Sequence, residues 1–184
     1  MRIITGIKRG LKLETPENTE IRPTLDRIKE SIFNIIHPIK QNSIVVDLFT
    51  GTGNIGLEFI SRGSEKVYFV DNSKHSIDLT KKNIEKCKFE DKSILIKDDY
   101  ATALKKIRED KSVDYIYIDP PYGEIDINNI LKNLINSNII NENTLIIFED
   151  DKDREIKIQD IDIVDERNYG SVFIKFMKRG NLWK

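Results

Sequence analysis

Residues 43–56 read Ser-Ile-Val-Val-Asp-Leu-Phe-Thr-Gly-Thr-Gly-Asn-Ile-Gly. A compact β-branched run over Ser43–Leu48 ends in an acid, three glycines follow, and an apolar helical pattern opens at Asn54. That order, strand then glycine turn then helix, is the start of a βαβ unit. The same alternation repeats outward. Strands are expected at Lys66–Val70, Ser93–Ile96, Val113–Ile118 and Thr144–Phe148, and helices at Asn54–Ser61, Lys74–Cys87, Ala101–Glu109 and Ile125–Leu134. Strand–helix alternation at these lengths implies right-handed crossovers and a mostly parallel α/β sheet. The tail, from about Asp162 to Lys178, carries two β-like runs around Asn168-Tyr169-Gly170 and predicts a closing antiparallel hairpin. Upstream, residues 1–13 read as a small β-hairpin with Lys8-Arg9-Gly10 at its tip. A helix follows with Thr24 as N-cap, Leu25, Ile28, Ile32 and Ile36 as its apolar stripe, and His37-Pro38 at its end. The chain thus divides into an N-terminal hairpin-and-helix extension, 1–42, and an α/β domain, 43–184.

The 184 residues suit a single core. Thirty Lys and Arg against 31 Asp and Glu give a net charge of −1, which excludes a wholesale basic nucleic-acid binder but not a local basic patch. One cysteine, Cys87, excludes an intrachain disulfide and a cysteine metal cluster, and two histidines argue against a multi-histidine site, so no metal is expected. No apolar run reaches the roughly 18 residues of a membrane span, and no signal-peptide pattern follows Met1. A cytoplasmic monomer without membrane contact is the expectation.

Each strand ends in or just before an acid: Asp47, Asp71, Asp98 or Asp99, Asp119 and Glu149. In an open parallel sheet these gather along the carboxyl rim, where ligands bind. Gly51, Gly53 and Gly56 form a GxGxxG loop of nucleotide-binding type. A dinucleotide pyrophosphate and S-adenosylmethionine compete for such a loop. Asp47, four positions ahead of Gly51, would repel a pyrophosphate but suits an ammonium and a nearby sulfonium. Phe49, Thr50 and Asn54 complete the loop. Asp71 can accept from a ribose diol with either cofactor. At the third strand end Asp99, or its neighbour Asp98, can accept from an adenine amine, with Tyr100 beside it.

The fourth strand runs into Asp119-Pro120-Pro121-Tyr122. Pro120 offers a carbonyl but no N–H, so Asp119 and that carbonyl can both accept from one exocyclic NH2 group. Held in this way, the nitrogen lone pair points away from the ring and becomes a better nucleophile. Tyr122 offers a face for stacking a base. The glycine loop together with DPPY resembles the Rossmann-like class I AdoMet-dependent amino-methyltransferases. Met1-Arg2-Ile3-Ile4 with Gly6, Arg9-Gly10, Arg22-Pro23-Thr24 with Asp26-Arg27, Phe33-Asn34, Leu57-Glu58, Ser61-Arg62-Gly63 and Tyr169-Gly170 narrow the resemblance to the RsmD-type bacterial enzymes, from Met1 to about Phe176. Asp71 departs from that family's more frequent Glu. The resemblance implies methyl transfer from S-adenosylmethionine to guanine N2 in 16S (small-subunit) rRNA, within a small-subunit particle, with S-adenosylhomocysteine as product.

Charge is segregated along the chain. The first twelve residues carry Arg2, Lys8, Arg9 and Lys12 and no acid, and the last fourteen carry Lys175, Lys178, Arg179 and Lys184 and no acid. The two ends are expected to form one basic face beside the active rim, with Lys8, Arg9, Lys12 and Arg22 touching RNA and the hairpin tip projecting. Rival readings are amino-methylation of DNA adenine or cytosine or of other RNA, a dinucleotide oxidoreductase, and a non-enzymatic RNA-binding module.

Overall fold

The computed structural model describes residues 1–16, 23–107, 112–121 and 125–180, without the side chains of 23–25. Its centre is a seven-stranded sheet. The strands are β1 (Ile44–Leu48), β2 (Lys66–Asp71), β3 (Ser93–Lys97), β4 (Tyr115–Ile118), β5 (Leu145–Asp150), β6 (Ile161–Asn168) and β7 (Phe173–Arg179). Their order across the sheet is β3-β2-β1-β4-β5-β7-β6. The first five strands are parallel, and β7 joins β5 antiparallel with β6 outside it. The mostly parallel α/β sheet with a C-terminal hairpin is therefore as expected. Strand order reverses between β1 and β4, which makes their carboxyl ends the topological switch point.

Two apolar layers sandwich the sheet. Helices α1 (Pro23–Ile35), α2 (Asn54–Ser61) and α3 (Lys74–Cys87) cover the face carrying Val45, Val67, Phe69, Tyr115, Tyr117 and Ile147. Helices α4 (Tyr100–Lys106) and α5 (Ile127–Asn136) cover the face carrying Val46, Val70, Ile116, Ile118 and Phe148. Strand residues alternate between the two, as period-2 geometry requires. Ile28, Ile32, Phe33 and Ile36 of α1 and Ile3 and Leu13 of the hairpin lie in the first layer. The described part of 1–42 therefore shares its core with the α/β body.

Helix α1 begins at Pro23, so Thr24 lies inside its first turn and is not the N-cap. Proline suits the first turn because the N–H it lacks would have no intrahelical acceptor there. Residues 1–13 form a minimal hairpin: Arg2 bridges Lys12, Ile3 N–H donates to Leu11 O at 3.0 Å, and Gly10 N–H donates to Ile3 O at 2.8 Å. Its turn does not project. It folds down onto the last turn of α2, where Ile7 N–H donates to Ser61 O at 2.8 Å. Gly6 permits this approach: at φ +87° a Cβ would sit 1.8 Å from Ser61 O.

Candidate active site

The glycine loop leaves β1 through a left-handed residue, Phe49 at φ 63°. A bulky side chain rarely takes this conformation, and such outliers gather at functional sites. Backbone and side-chain bonds hold the loop: Thr50 N–H donates to Val70 O at 2.9 Å, Gly51 N–H to Asp71 Oδ2 at 3.0 Å, and Thr80 Oγ1 to Gly51 O at 2.9 Å. Gly53 caps α2 in the left-handed region with no side chain to satisfy the helix amides. Asp47 does this from β1, its Oδ2 accepting from Gly56 N–H at 3.0 Å and from Thr50 Oγ1 at 2.7 Å. Gly56 then packs α2 onto β2, since a Cβ there would lie 2.3 Å from the Phe69 ring.

At the switch point lies a cavity of about 200 Å³, lined among others by Asp47, Phe49, Thr50, Gly51, Asn54, Tyr117, Asp119 and Glu149. Four of these come from one face of the sheet. Asp47 lies opposite Tyr117, Tyr117 opposite Ile147, and Asp119 and Glu149 are each two residues further along. Burial pushes the Asp47 carboxyl up to about 7, against the pull of its bonds from Thr50 and Gly56. Asp119 is driven well above the usual carboxylate range, first by burial, then by the charges of Glu149, Asp47 and Asp150. Glu149 is raised by burial while the Tyr117 hydroxyl, which donates to its Oε2, pulls it down. Desolvated acids facing each other are stabilised in their ionised forms by a cation, and they oppose an anion. The ammonium of Lys29, which also borders the cavity, is committed elsewhere: to Arg2 O at 2.6 Å, Asn54 Oδ1 at 2.8 Å and Glu58 Oε2 at 3.0 Å.

Beside the cavity the Phe49 and Tyr100 rings lie 5.8 Å apart, tilted by 51°. Asp71 accepts from Gly51 N–H through Oδ2 and from Ser73 N–H through Oδ1, at 2.8 Å for the latter. A carboxylate has about four lone-pair positions, so both oxygens keep acceptor capacity. Asp99 is the N-cap of α4, its Oδ1 accepting from Ala101 and Thr102 N–H at 3.0 Å each. Asp98 pairs with Lys106. Pro120 is buried and Pro121 exposed at the mouth of β4. Tyr122 and Arg22 lie outside the described residues.

One cluster was not foreseen. Glu58 is fully buried in α2. Its Oε2 accepts from Ile4 N–H at 2.8 Å, and its Oε1 from Thr5 N–H at 2.9 Å and Arg62 Nε at 2.8 Å. With Lys29 it clamps hairpin, α1 and α2 together, and burial pulls the Lys29 ammonium down in spite of Glu58. The signal was an acid inside the apolar run Leu57-Glu58-Phe59-Ile60, since a buried charge demands partners.

The basic face is not assembled as expected. Helix α2 runs for about 12 Å away from the rim, and the turn that carries Lys8 is seated on its last residue, Ser61. Lys8 there lies over the Phe89 ring at 5.8 Å from its centroid. Lys175 is buried and paired with Asp153 at 2.7 Å and with Glu166. Lys178 and Arg179 stand opposite Asp162 and Ile161, at the end of β7 away from the rim. Arg9 and Lys12 are exposed, and Lys12 lies across from Arg2.

No helix among the described residues is long and apolar enough to cross a membrane. The family model described as Conserved hypothetical protein 95 matches residues 1–178. YlbH of Bacillus subtilis, named as a candidate rRNA methyltransferase, is 31% identical over 182 residues, covering 97% of this chain and 99% of its own. Ribosomal RNA small subunit methyltransferase D of Haemophilus influenzae is 33% identical over 158 residues, 85% of this chain and 81% of its own. A solved Escherichia coli structure, yhhF, described as a candidate methyltransferase, superposes with a TM-score of 0.84 over 98% of both chains at 23% identity. With its doubly covered sheet, its glycine loop at the switch point and a match over nearly all its length, the chain belongs to the Conserved hypothetical protein 95 family, that of the RsmD-type methyltransferases.

Proposed function

We propose that this protein transfers a methyl group from S-adenosylmethionine to the exocyclic N2 amine of a guanine in 16S rRNA. The observation that carries the reading is the cavity bounded by Asp47, Asp119 and Glu149 beneath the glycine loop, which favours a cation over an anion. A dinucleotide pyrophosphate would meet the wrong sign there. The names of the relatives, rRNA and small-subunit rRNA methyltransferases, support RNA as the substrate over DNA.

S-adenosylmethionine supplies an electrophilic methyl on a sulfonium. Asp47 holds the cationic end, Asp71 accepts from the ribose diol, and Phe49 and Tyr100 flank the adenine. With Asp99 capping α4, the backbone after β3 and the remaining acceptor capacity of Asp99 serve the adenine edge. Asp119 and the Pro120 carbonyl accept from the target N–H groups and aim the nitrogen lone pair at the methyl carbon. The bound donor would supply its methyl carbon to this nitrogen, the S–C bond breaking as the N–C bond forms, and the nitrogen would shed one proton. Asp119, half-buried and with its carboxyl raised by desolvation and by the neighbouring acids, receives it. Positioning accounts for most of the rate, because the reaction is a displacement between two held groups.

The deciding experiment supplies labelled donor with unmodified small-subunit particles, naked rRNA or DNA and resolves the nucleosides. N2-methylguanosine from rRNA is expected; label on adenine N6, on cytosine N4 or in DNA would overturn the assignment.

Donor binding is expected to follow pH through Asp47. Burial pushes its carboxyl up to about 7, and a bound ammonium favours the ionised form. Below that pH binding must expel a proton, so affinity falls by up to about tenfold per unit as pH drops, and it levels off above. Calorimetry in buffers of different ionisation heat would register the proton release, and an affinity flat between pH 5.5 and 8 would contradict it.

RNA affinity is expected to depend steeply on salt. Neutralising Arg2, Arg9 and Lys12, which are exposed along the hairpin, lowers the slope of log K against log salt by roughly 0.7–0.9 for each phosphate that then goes unneutralised. Lys8→Gln changes it less, because that cation is laid over Phe89. An unchanged slope in the triple variant would mean that RNA docks elsewhere.

A further inference from the structure

The mechanism uses one acid at the mouth of β4, yet the cavity presents a second. Glu149 is 5% exposed and lines the same cavity. Ile118 stands opposite Phe148 at the last rung of the parallel ladder, so Asp119, the residue just after β4, leaves the sheet next to Glu149 of β5, and strands paired in this way lie about 4.8 Å apart. The Tyr117 hydroxyl engages Glu149 Oε2 and so fixes the carboxyl orientation.

Two adjacent acceptors match one nucleobase edge. Guanine carries its N2 amine beside a protonated N1, two donors in a row. Adenine carries N6 beside an N1 acceptor, and cytosine N4 beside an N3 acceptor. An acid next to the amine-holding Asp119 therefore attracts guanine and repels the other two amino bases. We propose that Glu149 is the specificity-determining residue for guanine, accepting the N1–H of the target base through Oε1 while Asp119 accepts from N2. This deepens the reading above and rests on it.

The test first locates the guanine that the wild-type protein methylates, by mass mapping of the labelled rRNA. That guanine is then replaced by 2-aminopurine through RNA ligation. 2-Aminopurine keeps the 2-amino group but has an unprotonated N1, which accepts. Single-turnover rates are compared in reconstituted particles for wild type, Glu149→Gln and Tyr117→Phe. Gln keeps an oxygen for the Tyr117 hydroxyl and turns an NH2 donor toward N1. Wild type is expected to prefer guanine by about 10–100-fold, the worth of one good base-edge hydrogen bond. Glu149→Gln shifts that preference toward 2-aminopurine by at least tenfold. Tyr117→Phe, which retains the ring and releases Glu149, narrows the preference several-fold. The O6 missing from 2-aminopurine affects all three proteins alike, so the change in ratio isolates the hydrogen bond at N1. If wild type yields no N2-methylguanosine, the proposed function fails and this assignment with it. If wild type methylates guanine but both variants keep its ratio, only the role of Glu149 is refuted. Should Glu149→Gln not fold, the Tyr117→Phe ratio decides alone, and an unchanged value refutes the role.

Discussion

Replacing Asp119 by alanine is expected to lower methyl transfer by about 10²–10⁴-fold while donor affinity stays within a few-fold. The side chain stands at the end of β4 above Tyr117, on the face shared with Asp47 and Glu149. In the proposed mechanism its acceptor oxygens aim the nucleophile and take the proton it sheds, and a misplaced nucleophile is costly because such a reaction has little else to accelerate it. Asp119→Asn keeps one acceptor oxygen and loses the charge, so it should fall between wild type and alanine. Single-turnover transfer and calorimetry with the donor check the pair of expectations. Undiminished transfer in the alanine variant would remove Asp119 from the chemistry, and abolished donor binding would make it a cofactor ligand instead.

The second large effect is on stability. Glu58→Ala is expected to destabilise the fold by about 3–5 kcal/mol, because it strands buried Lys29, unpairs Arg62 and leaves the Ile4 and Thr5 amides without their acceptor. Denaturant unfolding measures it. The double change Glu58→Leu with Lys29→Met should be milder than Glu58→Ala, since it removes both buried charges. A loss below about 1 kcal/mol for Glu58→Ala would mean that the clamp is not desolvated as its geometry indicates. Because Lys29 also bonds Asn54 at the head of α2, the substitution should loosen the glycine loop as well as the hairpin.

Local chemistry made much of this architecture legible. Helices α2 and α3 span the residues expected of them, Asn54–Ser61 and Lys74–Cys87, because glycines precede the one and Ser73 caps the other. The five parallel strands were legible as short apolar runs ending in acids, and β5 extends two residues past Phe148 because β7 pairs with it to Asp150. What local patterns do not carry is who satisfies whom across the chain. Asp47 reads as a ligand for an ammonium, yet in the fold it also supplies the cap that Gly53 cannot. Glu58 and Lys29 lie far apart in sequence, and neither announces the other. The hairpin turn reads as a projecting basic tip because nothing near Gly6 tells of the distant Ser61 on which it rests. Asp99 has the sequence of both a helix cap and an adenine acceptor, and the structure gives it the cap.

The central claim is that the methyl donor occupies the switch-point cavity with its reactive carbon facing Asp119. A crystal structure of the protein with S-adenosylhomocysteine tests this most directly. The expected result is the amino acid end against Asp47, the ribose on Asp71 and the sulfur directed at Asp119. Density for the ligand on the far face of the sheet, or in this cavity with the sulfur turned away from β4, would contradict it.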